Sequence, residues 1–296
     1  MKVLVLGGKG FIGRSIVSSL LTQGSQVQVA SRYASETTIS VRMQSMSCHE
    51  DWLPVIEGMD VVVNAVGILR ERKGESYDAI HNIAVTSLTN ACFQLGIKFI
   101  HISAIGLSAT AKSGFIRSKF AGELAIINSG ANAVIVRPSL LDGEGGYGAK
   151  WFRRVATWPI QFVMQSQGLI APMLVTDLGE AAANLCMRQE QLPKIIELGG
   201  SEVMTIAQYL AKLRAANKQK PALQLAMPRF IVRIVSHIFD VFAWTPLSFG
   251  HFELMQGYNV PAVNLLPVLL GRKPAELDQT IVNQVSEFSN LIAIKL

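Results

Sequence analysis

Short apolar runs and longer stretches of helical periodicity alternate through the first 140 residues. Residues 2–7 (KVLVLG) form an apolar run closed by glycine, which predicts a buried strand. Residues 11–24 (FIGRSIVSSLLTQG) carry apolar side chains at helical spacing and stop at Gly24. Residues 26–32 (QVQVASR), 60–67 (DVVVNAVG) and 98–104 (KFIHISA) predict further buried strands, with a long helix over 76–96. A strand at 132–139 (NAVIVRPS) follows the helix that carries Lys119. This alternation predicts an α/β fold, a Rossmann-type doubly wound parallel sheet. Beyond residue 140 the rhythm changes to helices, loops and prolines, with one late strand at 195–200 (IIELGG). The expected organisation is a sheet domain over 1–140, rejoined by strand 195–200. Residues 141–194 and 201–296 would form a smaller, mostly helical lobe. No internal repeat or low-complexity segment is visible.

Composition narrows the class. Of 296 residues, 50% are hydrophobic and 16% charged, enough for a large core and against disorder. The net charge of +6 comes from scattered Lys and Arg, without the basic stripe or reading motif of a nucleic-acid binder. Cys48, Cys92 and Cys186 lie far apart without metal-ligand spacing, which predicts reduced thiols and no metal site. The opening MKVLVLGGKG lacks the layout of a secretion signal. The uncharged run 155–176 includes Pro159, Gln161, Gln165, Gln167, Gly168 and Pro172, a poor bilayer helix. A soluble, cytoplasmic protein is expected, with a peripheral position at the inner face of a membrane as the alternative. Residues 151–165 and 228–244 mix aromatics with sparse arginines at helical spacing. They suit either a membrane or protein partner, or a helical lobe packing on the sheet domain.

The turn from the first strand into the first helix reads GGKGFIG, with Gly7, Gly10 and Gly13. Gly7 permits the tight turn, Gly10 lets a pyrophosphate approach the backbone, and Gly13 lets helix and strand pack closely. The free N–H groups of the helix start then face the phosphates. A dinucleotide cofactor is the expected ligand. The second strand ends at Ser31 and Arg32 in ASRYAS, where NAD-binding chains place an acid for the ribose hydroxyls. A guanidinium suits a 2′-phosphate, and Lys9 adds charge, so NADP(H) is expected over NAD(H).

GGKGFIG, NAVG, HNIAVTSLTNA, HISAIG, IRSKFAGE and VRPSLL follow one another in the order seen in extended and atypical short-chain dehydrogenases/reductases. LVTDLGEAA and IELGGSEVMTIAQYL match the same group. The tail WTPLSFGHFELMQGYNV resembles the branch with the accessory nucleotide-binding subunit of mitochondrial complex I and its bacterial relatives. The branch is often described as NAD-dependent epimerase/dehydratase. The resemblance implies that Gly7, Gly10, Phe11 and Ile12 surround the pyrophosphate and Arg32 the adenosine phosphate. It puts Ala65, Val66 and Gly67 beside ribose and adenine, Lys119 on the nicotinamide ribose, and Pro138 and Ser139 beside the nicotinamide. Asn82 falls at a structural asparagine of the family.

The departures concern the chemistry. Where the family has a catalytic tyrosine four residues before its lysine, this chain has Phe115. The helper hydroxyl falls at Ser103 or is absent at Ala104, and QSMSCHE (44–50) lacks an acid that often touches adenine. General acid/base catalysis needs a titratable group in reach of the reacting oxygen, and Phe115 has none. His81, His101 and Tyr147 are other candidates. Two readings stand: a protein that binds NADPH without ordinary turnover, and a reductase or epimerase-like enzyme using Lys119, Ser103 or a water.

Overall fold

The computed structural model describes residues 1–164, 168–190, 192–228, 231–232 and 249–277. Seven strands, β1 (Lys2–Leu6), β2 (Gln26–Ser31), β3 (Thr38–Ser40), β4 (Val61–Asn64), β5 (Lys98–Ile102), β6 (Ala133–Pro138) and β10 (Ile195–Leu198), form one sheet. Its order is β3-β2-β1-β4-β5-β6-β10, and every neighbouring pair is parallel. The doubly wound fold read from the strand–helix alternation is the one observed. Order reverses between β1 and β4, so the crevice opens at the carboxyl ends of these strands.

Strand alternation divides the core into two apolar layers. Val3, Val5, Val61, Val63, Ile100 and Val134 face α1 (Phe11–Thr22) and α6 (Val175–Met187). Leu4, Leu6, Val62, Phe99 and Ile135 face the side of α2 (His49–Ile56) and α3 (Ala84–Leu95). Because both faces are covered, these strands are near-continuous apolar runs rather than alternating ones. α1 and α6 meet at Gly179, where a Cβ would lie 2.6 Å from the Ser15 carbonyl oxygen. There the Ser15 hydroxyl donates to the Val175 carbonyl at 2.8 Å.

Several boundaries shift from the sequence reading for one reason: chains leave the sheet at the crevice. β4 ends at Asn64 rather than 67, and β5 at Ile102 rather than 104. The Asn64 side chain accepts from Val66 N–H at 3.0 Å, turning 65–67 out of the ladder. The long helix divides into a wide π turn (Ala79–Ile83) followed by α3. Such turns are frequent at functional sites.

The later segments hold more strand than the sequence reading allowed. Besides β10 there are β7 (Leu141–Asp142), β8 (Ile160–Met164), β9 (Met173–Leu174) and β11 (Leu223–Met227), which form two-stranded parallel pairs β7/β9 and β8/β11. These runs are too short for periodicity to separate from loop. A third apolar cluster joins α5 (Tyr147–Ala156) to α7 (Ile206–Ala216) through Phe152, Val155, Tyr209 and Leu213. The apolar face of residues 151–156 is therefore buried against α7. Most of 228–244 lies outside the described residues. None of the described helices is long and apolar enough to cross a membrane.

Candidate functional site

The site begins at the glycine turn. Gly7 adopts φ +75°, and its N–H and that of Gly8 both reach the Ala30 carbonyl, tying β1 to the end of β2. Gly10 N–H donates to Gly7 O at 2.8 Å, which folds the turn over the start of α1. A Cβ on Gly13 would stand 2.1 Å from Gly7 O, so helix and turn touch only because that side chain is absent. α1 has neither a side-chain N-cap nor an acid in its first turn, which leaves its N–H groups open to an anion. The Phe11 ring lies under the loop after β7, where a Cβ on Gly146 would come within 2.8 Å of it.

Beside this turn lies a cavity of about 340 Å³ between β1, β2 and β4. Its apolar wall comprises Leu6, Ala30, Val41, Met43, Val66 and Ile80, and its polar rim includes Lys9, Ser31, Arg32 and Glu75. Lys9 Nζ donates to Ser35 Oγ at 3.0 Å, and Ser31 Oγ to the Tyr33 carbonyl at 2.7 Å. Arg32 Nη1 is 3.0 Å from Glu75 Oε1.

At the other end of the crevice, a buried polar layer surrounds Lys119 on α4 (Gly114–Asn128). His81 Nε2 accepts from Ile68 N–H at 3.1 Å, so the ring is neutral with its proton on Nδ1. That proton goes to Ser118 Oγ at 3.1 Å, and Ser118 in turn donates to the Phe115 carbonyl at 3.1 Å. Burial first, then the charge of Lys119, holds His81 well below the usual histidine range. The π turn allows this reach across to α4. Gly122 allows the close approach, since a Cβ there would lie 2.1 Å from the His81 carbonyl oxygen.

His101, on β5, sits 3.2 Å from Asn64 Nδ2 through Nδ1, and burial lowers its pKa to about 3. Burial also lowers Lys119 to about 8, with Glu123 one turn along opposing the shift. Glu123 itself is committed to Arg137, at 3.0 and 2.5 Å. Ser103 Oγ and His101 Nε2 are buried without a partner among the described residues, and the Lys119 ammonium is buried beside them. A buried ammonium and an orphaned hydroxyl fit a ligand with hydroxyl or amide groups.

Phe115 is closed in. Its ring packs edge-on against Tyr77 and His81, with centroids 5.7 and 5.5 Å away, and stacks on His251 at 5.6 Å. His251 belongs to the helix Phe249–Gln256, which sits directly on this position. A Cβ on Gly250 would meet the Phe115 ring at 2.9 Å. From the same helix, Glu253 accepts from Lys112 and Ser113 N–H groups, both at 2.8 Å, fixing the backbone that leads into α4. Phe115 is only 6% exposed, so its ring is covered here.

Residues 3–177 match the NAD dependent epimerase/dehydratase family. The chain belongs to this family. It is 27% identical over 256 residues to the mitochondrial NADH dehydrogenase [ubiquinone] 1 alpha subcomplex subunit 9 of Dictyostelium discoideum, covering 82% of this chain and 71% of that protein. A nucleoside-diphosphate-sugar epimerase from Staphylococcus aureus shares the fold with a TM-score of 0.75 at 14% identity, over 95% of this chain and 99% of that one. Human epimerase family protein SDR39U1 (isoform 2), in a crystal structure with NADPH, does so with a TM-score of 0.67 at 18% identity, over 97% and 99%. These relatives agree with a short-chain dehydrogenase-type, nicotinamide dinucleotide-binding chain.

Within the family frame, the sequence-predicted residues separate into groups. Gly7, Lys9, Gly10, Ser31, Arg32, Ala65, Val66 and Gly67 all border the cavity. Phe11, Ile12 and Gly13 form the start of α1 beneath it. Pro138 closes β6, whereas the Ser139 hydroxyl is used inside the fold. It lies 2.5 and 2.9 Å from the carbonyl and side-chain oxygens of Asn259, and accepts from Ala171 N–H. Among the described residues Asn82 donates to Asp78, and the residue that reaches across to α4 is His81. Tyr147 is half exposed at the start of α5. Cys92 and Cys186 are buried, and burial pushes both thiols up to about 12. Among the described residues no cluster could hold a metal ion. Glu75, Asn64, Tyr77 and Glu253 were not visible as site residues in the sequence. Only Asn64, at the carboxyl end of a buried strand, carried a local signal.

Proposed function

We propose that this chain is an NADP(H)-holding member of its family that does not perform ordinary dehydrogenase turnover. Phe115 carries this reading: it stands at the tyrosine position, boxed in by Tyr77, His81 and His251, beside an intact glycine turn. The residues present fit the dinucleotide. The glycine turn leaves room for a pyrophosphate, Ser103 Oγ has no partner among the described residues, and the Lys119 ammonium is buried in the same layer. When bound, the dinucleotide supplies a transferable hydride.

What this chain lacks is the proton that must accompany hydride transfer to a carbonyl. Both ring nitrogens of His81 are committed, and His101 is buried and neutral. In this reading Lys119 binds ribose hydroxyls, Arg32 and Lys9 supply positive charge at the adenosine end, and Phe115 excludes water. Pro138 would border the nicotinamide. The bound cofactor would stabilise the fold or report redox state to a partner, as suits a relative named as a subunit of NADH dehydrogenase. A cytoplasmic protein docking on a membrane-bound complex is the setting we propose. The outward row of β8/β11 supports this, with Ile160, Phe162, Leu223 and Leu225 all exposed.

A reductase or epimerase-like activity is the second reading. It is favoured by Lys119, whose pKa near 8 suits proton transfer at neutral pH.

Calorimetric titration with NADPH and NADH tests the cofactor. A charge-assisted contact to phosphate contributes roughly 1.5–3 kcal/mol, on the order of tenfold or more in affinity. Arg32→Ala is expected to lose that factor for NADPH and leave NADH nearly unchanged. Equal wild-type affinities for the two dinucleotides would end the NADP(H) assignment.

A further inference from the structure

The loop between β4 and the π turn carries a carboxylate that the cofactor reading alone does not explain. Arg72 and Glu75 close a tight turn through two backbone hydrogen bonds of 3.0 and 2.9 Å, with Gly74 between them at φ +82°. Farther along, Tyr77 N–H donates to Glu71 Oε1 at 2.8 Å, and the Tyr77 hydroxyl to the Leu69 carbonyl at 2.9 Å. The loop is thus pinned at both ends. Glu75 is fixed against Arg32, its side chain 14% exposed and that of Arg32 56%. Both side chains border the 340 Å³ cavity, together with Lys9.

We propose that Glu75 sets the discrimination between dinucleotides with and without an adenosine phosphate. This rests on the NADP(H) reading above. A carboxylate bonded to Arg32 occupies donor positions of the guanidinium that a phosphate would grip as a pair. It also places a negative charge where a dianion would arrive. A dinucleotide lacking that phosphate needs neither the free guanidinium nor the absence of a neighbouring charge. Glu75 therefore weakens NADPH selectively, and Arg32 works against it. The pair moderates a preference that Arg32 alone would make strong. Because Tyr77 in the same loop also packs on Phe115 and His81, the loop that holds Glu75 spans both ends of the crevice.

The test titrates wild type, Glu75→Gln and Glu71→Gln with NADPH and NADH at fixed ionic strength, read by nicotinamide fluorescence. Glu75→Gln is expected to tighten NADPH by about fivefold and to leave NADH within about twofold. Glu71→Gln makes the same charge change in the same loop, but its carboxylate serves Tyr77 N–H. It should shift the ratio of the two affinities by less than about twofold. Unchanged or weaker NADPH binding in Glu75→Gln would overturn the proposal. So would a loss of NADH affinity in that variant, which would assign the carboxylate to ribose hydroxyls instead. If wild type binds neither dinucleotide, the underlying cofactor reading fails as well, a result distinct from binding that Glu75 does not influence.

Discussion

The two ends of the crevice are built on opposite principles. The end we assign to adenosine is a cavity with an apolar wall and a charged rim, shaped by glycines and edged by Lys9, Arg32 and Glu75. The other end is packed: Phe115 sits among three aromatic rings, under a helix whose Gly250 touches it. Its polar groups are buried: a chain runs from Ile68 N–H through His81 and Ser118 to the Phe115 carbonyl, while Ser103 Oγ and His101 Nε2 have no partner among the described residues. An open, charged half beside a closed, aromatic-packed half is the contrast on which the proposed reading, a nucleotide held without ordinary turnover, depends.

The largest expected effects lie at the glycines. In Gly13→Ala the new methyl would meet backbone atoms of Gly7 and Gly8 at 2.1–2.7 Å, which no rotamer can relieve. A loss of roughly 3 kcal/mol in denaturant unfolding is expected, with dinucleotide binding abolished. Gly122→Ala should lose comparable stability by driving α4 from His81, 2.1 Å from the added atom. Unfolding of either variant at the wild-type midpoint would contradict the close approaches at Gly13 and Gly122.

Lys119 gives the next largest effect, and its sign depends on pH. Its pKa falls from 10.5 to about 8 on folding because burial disfavours the ammonium. Below pH 8 both states keep the proton, and the native state bears the full desolvation cost. Between 8 and 10.5 the native lysine has lost its proton while the unfolded one retains it, so wild-type stability rises with pH. Lys119→Met should therefore be more stable at pH 7 by up to roughly 3 kcal/mol, with the gap closing by pH 10.5, while NADPH affinity falls. Thermal unfolding across that range checks it. His101 works in the acid window. Its buried ring favours the neutral form, so its contribution is present above pH 6.5 and is lost as pH falls towards 3.

How legible each end was follows from what encodes it. The sheet and the end we assign to adenosine rest on local signals: apolar runs of four to six residues, glycines at fixed offsets, and Arg32 directly after β2. The closed end rests on contacts between segments far apart in sequence. Glu253 reaches Ser113 across 140 residues, and Asn259 reaches Ser139 across 120. No periodicity carries such a contact. Phe115 itself was conspicuous, but its enclosure by His251 and Gly250 was not. Strands β8 and β11 escaped because their alternation spans only five residues each.

The smallest predicted effect separates the two ends cleanly. Glu253→Ala removes the carboxylate that holds the backbone leading into α4, a change of about 1 kcal/mol, read as faster amide exchange at Lys112 and Ser113. NADPH affinity should stay within about twofold of wild type, since the adenosine end is untouched. A large loss of affinity would mean that the two ends are energetically coupled through α4.

The most direct test follows the bound cofactor itself. NADPH is loaded stoichiometrically onto wild type and Phe115→Tyr, and nicotinamide fluorescence is followed after adding a panel of ketones, aldehydes and quinones. The account predicts that wild type binds NADPH and that its fluorescence persists with every compound. A compound that oxidises wild-type-bound NADPH within a few minutes, and fails to do so with Lys119→Met that still holds the cofactor, would contradict it.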